Sequence, residues 1–192
     1  MNQTVLGVIG GAAALGAALA LAGCGKPPAP AAQTTIQQYM ENEVNPAGEY
    51  LFHSVRMIAD DKGTRLDGPS TDAQWQEVRE RLELLRDAPK ILTAGDVKAA
   101  PPGFKSEHPP IESEPAVIQR LIDDNRGDFN LRAHRLQASS EAALKAVDAK
   151  DPKALMQSLD AVDKACESCH LRYFYPNDLR AKQAAKEDNL TY

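Results

Sequence analysis

The residues of this chain with the most chemistry in the least space are Cys166-Glu167-Ser168-Cys169-His170. Two thiols stand three positions apart, and an imidazole follows the second directly. On a helix these side chains leave adjoining parts of one surface, because positions three and four apart share a face. Two sulfurs can then bond the vinyl groups of a porphyrin while the imidazole reaches its iron from the same side. C-x-x-C-H is the attachment pattern for covalent c-type haem. The spacing therefore points to one haem c, held by Cys166 and Cys169, with His170 as an axial iron ligand. Two other chemistries use paired cysteines. A redox dithiol normally sits in a βαβ setting, of which the sequence shows no sign. A zinc site needs further ligands, and no second pair of Cys or His stands at ligand spacing.

The elements that must position this motif read as helices. Aromatic content is only 5%, and no Val/Ile/Thr-rich alternating stretch follows the N-terminal segment, so strands are hard to place. Apolar residues at Ile36, Met40, Val44, Ala47, Leu51, Val55 and Ile58 recur in steps of three and four and mark a first helix. Asn45-Pro46 predicts a kink or short break within it, since proline lacks a donor and restricts the residue before it. Ser70-Thr71-Asp72 offers capping side chains ahead of Trp75, Val78, Leu82 and Leu85, a second helix ending near Pro89. Ser113-Glu114-Pro115 opens a long third helix whose stripe runs from Ile118 through Phe129 and Leu136 to Val147. Asp151-Pro152 opens the fourth, with Leu155, Leu159, Val162, Cys166 and Cys169 on one face. The expected fold class is all-α: an antiparallel four-helix bundle with the haem near the C-terminal end of the last helix. The proline- and glycine-rich stretch from Thr93 to Glu112 is longer than bundle loops usually run. It reads either as a lap over the bound group or as an inert surface crossing.

That topology nominates a second axial ligand. In an up-down-up-down bundle the first helix runs opposite to the fourth, so the C-terminal end of the fourth lies beside the start of the first. Met40 is at that height and at the centre of its helix's stripe; a plain core methionine is the competing reading. Met57 would lie about 25 Å further along the same helix. Met156 shares the fourth helix with His170 and belongs to the proximal side. His134 and His53 point away from their stripes and read as solvated, while His108 lies in the proline-rich connection and stays open. Tyr173, Phe174 and Tyr175, directly after the motif, either cover part of the ring or pack in the core.

The N-terminus reads as a targeting segment. Val5 to Ala22 is apolar or glycine, and residues 1–23 carry no ionisable side chain. Leu21-Ala22-Gly23-Cys24 resembles the lipobox of bacterial lipoproteins, which makes Cys24 the lipidation point and residues 1–23 a signal peptide. The segment lacks the usual Lys or Arg near its start, and an uncleaved span is the alternative. Residues 24–33 then form the lipid anchor and a stiff Pro/Ala-rich spacer, residues 34–176 the cytochrome domain, and residues 177–192 a charged tail. Both readings tether the folded part outside the cytoplasm, on the periplasmic side of the bacterial envelope. The net charge of −5 argues against nucleic acid as a partner.

These features together resemble a known family, the four-helix cytochromes c′ and c556. The resemblance covers roughly residues 34–176 and rests on Lys164-Ala165-Cys166-Glu167-Ser168-Cys169-His170 with Tyr173, on Asp151-Pro152-Lys153-Ala154-Leu155, and on Ile36-Gln37-Gln38-Tyr39-Met40-Glu41-Asn42. It implies that a methionine at the place of Met40 makes a six-coordinate electron carrier, working with a redox partner protein rather than as an enzyme. Members with an apolar residue there are five-coordinate and bind small gases such as NO or CO, which is the alternative function. Members of the family often form homodimers through the first two helices.

Overall fold

The computed structural model describes residues 34–179. The expected signal peptide, Cys24 and the spacer, with most of the charged tail, lie outside the described residues. The described chain is mainly helical with one small two-stranded sheet. None of its helices is long and apolar enough to cross a membrane.

The first helical stretch comprises α1 (Ile36–Tyr39), a π-helical turn (Met40–Val44) and α2 (Asn45–Ser54). Thr35 starts it with a capping box, its side chain accepting from the Gln38 N–H while the Gln38 side chain accepts from the Thr35 N–H. The π turn has a cause in the sequence. Pro46 has no N–H to give the carbonyl of Asn42, so the ladder loosens there and Asn45 N–H reaches back to the Met40 carbonyl. The expected break at Asn45-Pro46 thus takes the form of a wider turn, and Ile36, Val44, Ala47 and Leu51 are all buried.

The helix stops earlier than its stripe suggests. Val55 is extended, and Arg56–Asp60 (β1) pairs antiparallel with Gly63–Asp67 (β2). Asp60 accepts from the Lys62 N–H, and Gly63 takes φ +106°, the left-handed backbone that such a tight turn demands. Met57 and Ile58 therefore sit on a strand rather than on the first helix, and Met57 is exposed. Beyond β2, Gly68 lets the chain pass close to the start of the last helix. A Cβ there would stand 2.9 Å from Pro152 Cβ.

The second helix, α3 (Asp72–Asp87), begins with a capping box of Thr71 and Gln74 and is followed by the short α4 (Pro89–Leu92). The expected long third helix is broken in two: α5 (Pro115–Asp124) and α6 (Arg126–Asp148). Asn125 leaves the helical region at the junction, and its side-chain amide donates to the Leu121 carbonyl. This local alternative to the helix ladder is what makes asparagine a helix interrupter. The last helix, α7 (Pro152–Tyr173), is capped by Asp151, which accepts from the Lys153 and Ala154 N–H groups.

Packing joins α6 to α7, α3 to α6 and α2 to α3 around one core, with Leu51, Val78, Leu82, Ile122, Leu155 and Val162 fully buried. The connection after α4 reaches back to the start of the first helix. The Lys98 and Ala99 carbonyls accept the Ile36 and Gln37 N–H groups, so the connection closes the start of α1.

Candidate functional site

The face of α7 places the site. Leu155, Leu159 and Val162 are buried, Cys166 and Cys169 are half-buried, and Tyr173 is buried again. The stripe therefore opens in its middle. The first helix does the same, with half-buried Met40 between buried Ile36 and Val44. Both openings face one cavity of about 340 Å³, lined by Met40, Cys166, Cys169 and His170 together. That volume falls in the range of small-molecule sites, about 300–1,000 Å³. Its apolar wall comes from Val44, Phe52, Leu85, Leu92, Ala133 and Leu136, and its polar groups include Glu49, Arg132, Asp163 and Glu167.

The rival ligands stay away from this cavity. His53 is exposed and its Nδ1 lies 2.7 Å from the Glu49 carbonyl. His134 is exposed beside Gln137, and His108 is exposed in the connection. Met156 lies on α7 well before the motif and packs against the core. None of them, nor Met57, lines the cavity. A larger, open cleft of about 540 Å³ lies against the hairpin, with Glu49, His53, Arg56 and Asp67 among its walls. It is polar, and it holds neither thiol.

The electrostatics distinguish between uses of the thiols. Burial pushes both Cys166 and Cys169 up to about 12; Asp163 and Glu167 add to the effect at Cys166, while the Arg132 cation opposes it at Cys169. Both are protonated at neutral pH. Dithiols activated for exchange sit at helix N-termini, where the dipole favours thiolate. These occupy the last turns of α7, at its carbonyl end, where the dipole disfavours it. Burial also lowers the His170 pKa, against the opposing pull of Glu167 and Asp163, and leaves the imidazole neutral with a lone pair to donate. Phe174 and Tyr175 flank that ring edge-on, with centroids 5.9 and 6.0 Å away.

No family model, curated protein or solved structure matches this chain. The site is accordingly read from its own chemistry. Among the described residues no three His, Cys, Asp or Glu side chains gather as ligands for a bare metal ion. What the cavity offers is an imidazole on one helix, a thioether on another, and two neutral thiols between apolar walls. That donor set fits a planar group that brings its own metal ligands and is held by its edge, as a haem is.

One set of residues escapes the sequence reading. Tyr173 does not cover the cavity. It is fully buried, packs edge-to-face on Phe129 at 5.1 Å, and its hydroxyl donates to Asp128 Oδ2 at 2.8 Å and to the Asn125 carbonyl at 3.2 Å. Burial would raise the Asp128 carboxyl, but the donors on Arg132 and Tyr173 outweigh it and hold the group below its ordinary value. The Asp128/Arg132 spacing of four on one helix was a visible signal; the partners on α7 were not.

Proposed function

We propose that this chain is a monohaem c-type cytochrome of the bacterial envelope that carries electrons, built as an antiparallel four-helix bundle and tethered through a lipid on Cys24. A haem bound in the cavity supplies an iron that accepts and releases one electron. The single observation that carries the reading is the convergence of Met40 with Cys166, Cys169 and His170 on one cavity, although they come from opposite ends of the described chain.

On this reading Cys166 and Cys169 would hold the haem through thioether links, each made by adding one S–H across a vinyl group, so that no oxidant would be needed. His170, on α7, would hold the iron through its neutral imidazole, and Met40, on the first helical stretch, would offer its thioether as a second ligand. A neutral, soft sulfur ligand favours the ferrous state and raises the potential. Val44, Leu85, Leu92 and Leu136 line the cavity and would keep water from the bound group, which would limit rearrangement between oxidation states. The helices hold both ligands at fixed height, and the partner is a second redox protein that meets the cavity mouth.

Mass spectrometry of the exported protein tests the attachment: an adduct of haem mass on the peptide bearing Cys166 and Cys169 is expected, and its absence ends the reading. Absorption and EPR spectra of the ferric protein test the second ligand. Low-spin iron with a methionine–sulfur band is expected in the wild type and high-spin iron in Met40→Ala. High-spin iron in the wild type would favour the gas-binding alternative.

A further inference from the structure

The C-x-x-C-H turn is gripped from outside its own helix by Arg132 of α6. Its Nε donates to Asp128 Oδ2 at 2.8 Å and its Nη1 donates to the carbonyl of Ser168, between the two cysteines, also at 2.8 Å. The side chain is 13% exposed and lines the same cavity as Cys169 and His170. A guanidinium that holds a carboxylate and a carbonyl at once has its direction fixed, which a lysine ammonium would not. Behind it, Asp128 is itself oriented by the buried Tyr173 hydroxyl. The clamp therefore runs from the core of α7 through α6 and back to the motif.

Its charge has a second consequence. A cation at a partly buried wall is screened far less than one in water, and Arg132 shares the lining of one cavity with Cys169 and His170. Reduction of a bound iron removes one unit of positive charge from the cavity, so a neighbouring cation favours the reduced state and a neighbouring carboxylate opposes it.

We propose that Arg132 is a positioning residue and the fixed cation of the haem cavity, locking the Ser168 carbonyl and raising the midpoint potential of the bound iron, with Asp128 as its partial counterweight. The inference rests on the haem reading above.

The test uses the exported, full-length protein as wild type, Arg132→Gln, Arg132→Lys and Asp128→Asn. Mass spectrometry first records the adduct in each, and spectroelectrochemical titration then records the midpoint potential. Arg132→Gln is expected to lower the midpoint by on the order of a tenfold change in the redox equilibrium, about 59 mV for one electron. Asp128→Asn is expected to raise it, and Arg132→Lys, which keeps the charge, to stay near the wild type. Loosened packing gives no reason for the first two to move in opposite directions. An unchanged midpoint in Arg132→Gln with its adduct intact overturns the inference, as does a shift of the same sign in both variants. If Arg132→Gln fails to acquire the adduct, Asp128→Asn decides: a raised midpoint supports the inference and an unchanged or lowered one overturns it. A wild type without adduct removes the haem reading itself and the inference with it.

Discussion

Removing one oxygen tests the buried network behind the motif. In Tyr173→Phe the ring keeps its edge-to-face contact with Phe129 and its place in the core, so the change isolates the hydroxyl. That hydroxyl donates to a carboxylate at 2.8 Å and to a backbone carbonyl at 3.2 Å. A hydrogen bond to a charged group contributes about 1.5–3 kcal/mol net. The lower end applies here, because neither acceptor is orphaned. Asp128 retains Arg132 at 2.8 Å, and the Asn125 carbonyl retains the Phe129 N–H at 3.0 Å. The expected loss is about 1.5 kcal/mol, which for a protein of this size lowers Tm by about 3–6 °C. Thermal melts of wild type, Tyr173→Phe, Asp128→Ala and the double variant supply the measurement. Most of the loss should vanish in the Asp128→Ala background, giving a coupling of about 1 kcal/mol. Full additivity of the two changes, or a Tyr173→Phe melt within about half a degree of wild type, would refute the argument that the carboxylate is what the hydroxyl serves.

Two further outcomes follow from local geometry. Gly68→Ala should destabilise by about 1–3 kcal/mol through overpacking, because its Cβ would meet the Pro152 ring carbon at 2.9 Å and Val55 at 3.3 Å, and neither can swing aside; an unchanged or raised Tm counts against the close approach. With Cys166 and Cys169 pushed up to about 12, chain expressed without haem attachment should alkylate at pH 8 on the order of a thousandfold more slowly than an ordinary thiol with pKa about 8.5. The rate should climb with pH as thiolate forms; fast, pH-insensitive alkylation at pH 7 would show that the thiols are activated instead.

Sequence reading succeeded where the relevant spacing was local and failed where it was not. The C-x-x-C-H turn lies on the single helix that Asp151-Pro152 opens, so three- and four-residue spacing suffices to place both thiols and the imidazole on one surface. Met40 is legible for the same reason, as a member of a stripe in which Ile36, Val44, Ala47 and Leu51 are buried. The hairpin was hidden because Val55 and Ile58 continue the helical spacing for two more steps, although Asp60-Asp61-Lys62-Gly63 carries the turn chemistry that ends it. The break at Asn125 was hidden because Ile118, Ile122 and Phe129 keep a plausible phase across it. The partners of Arg132 and Asp128 on α7 were beyond reach of any local pattern: Ser168 and Tyr173 lie tens of residues along the chain, and only the packing of α6 on α7 brings them together.

The charge states around the cavity bear on what kind of chemistry it can host. General acid–base or nucleophilic catalysis needs a group poised to exchange a proton or an electron pair near neutral pH. Here burial drives both thiols towards the protonated form, away from the nucleophilic thiolate, and the imidazole towards the neutral form, whose lone pair is free for a metal. Arg132 cannot act as a base at all, and its charge is engaged by Asp128 and the Ser168 carbonyl. Neutral nitrogen and sulfur donors, one oriented cation and the carboxylates of Glu49, Asp163 and Glu167 line a cavity whose remaining wall is largely apolar, a set that under the proposed reading would hold a metal whose charge changes. The packing of α6 on α7, tied by the Tyr173–Asp128–Arg132 chain, holds this side of the cavity in place, and under the proposed reading it would limit reorganisation during electron transfer.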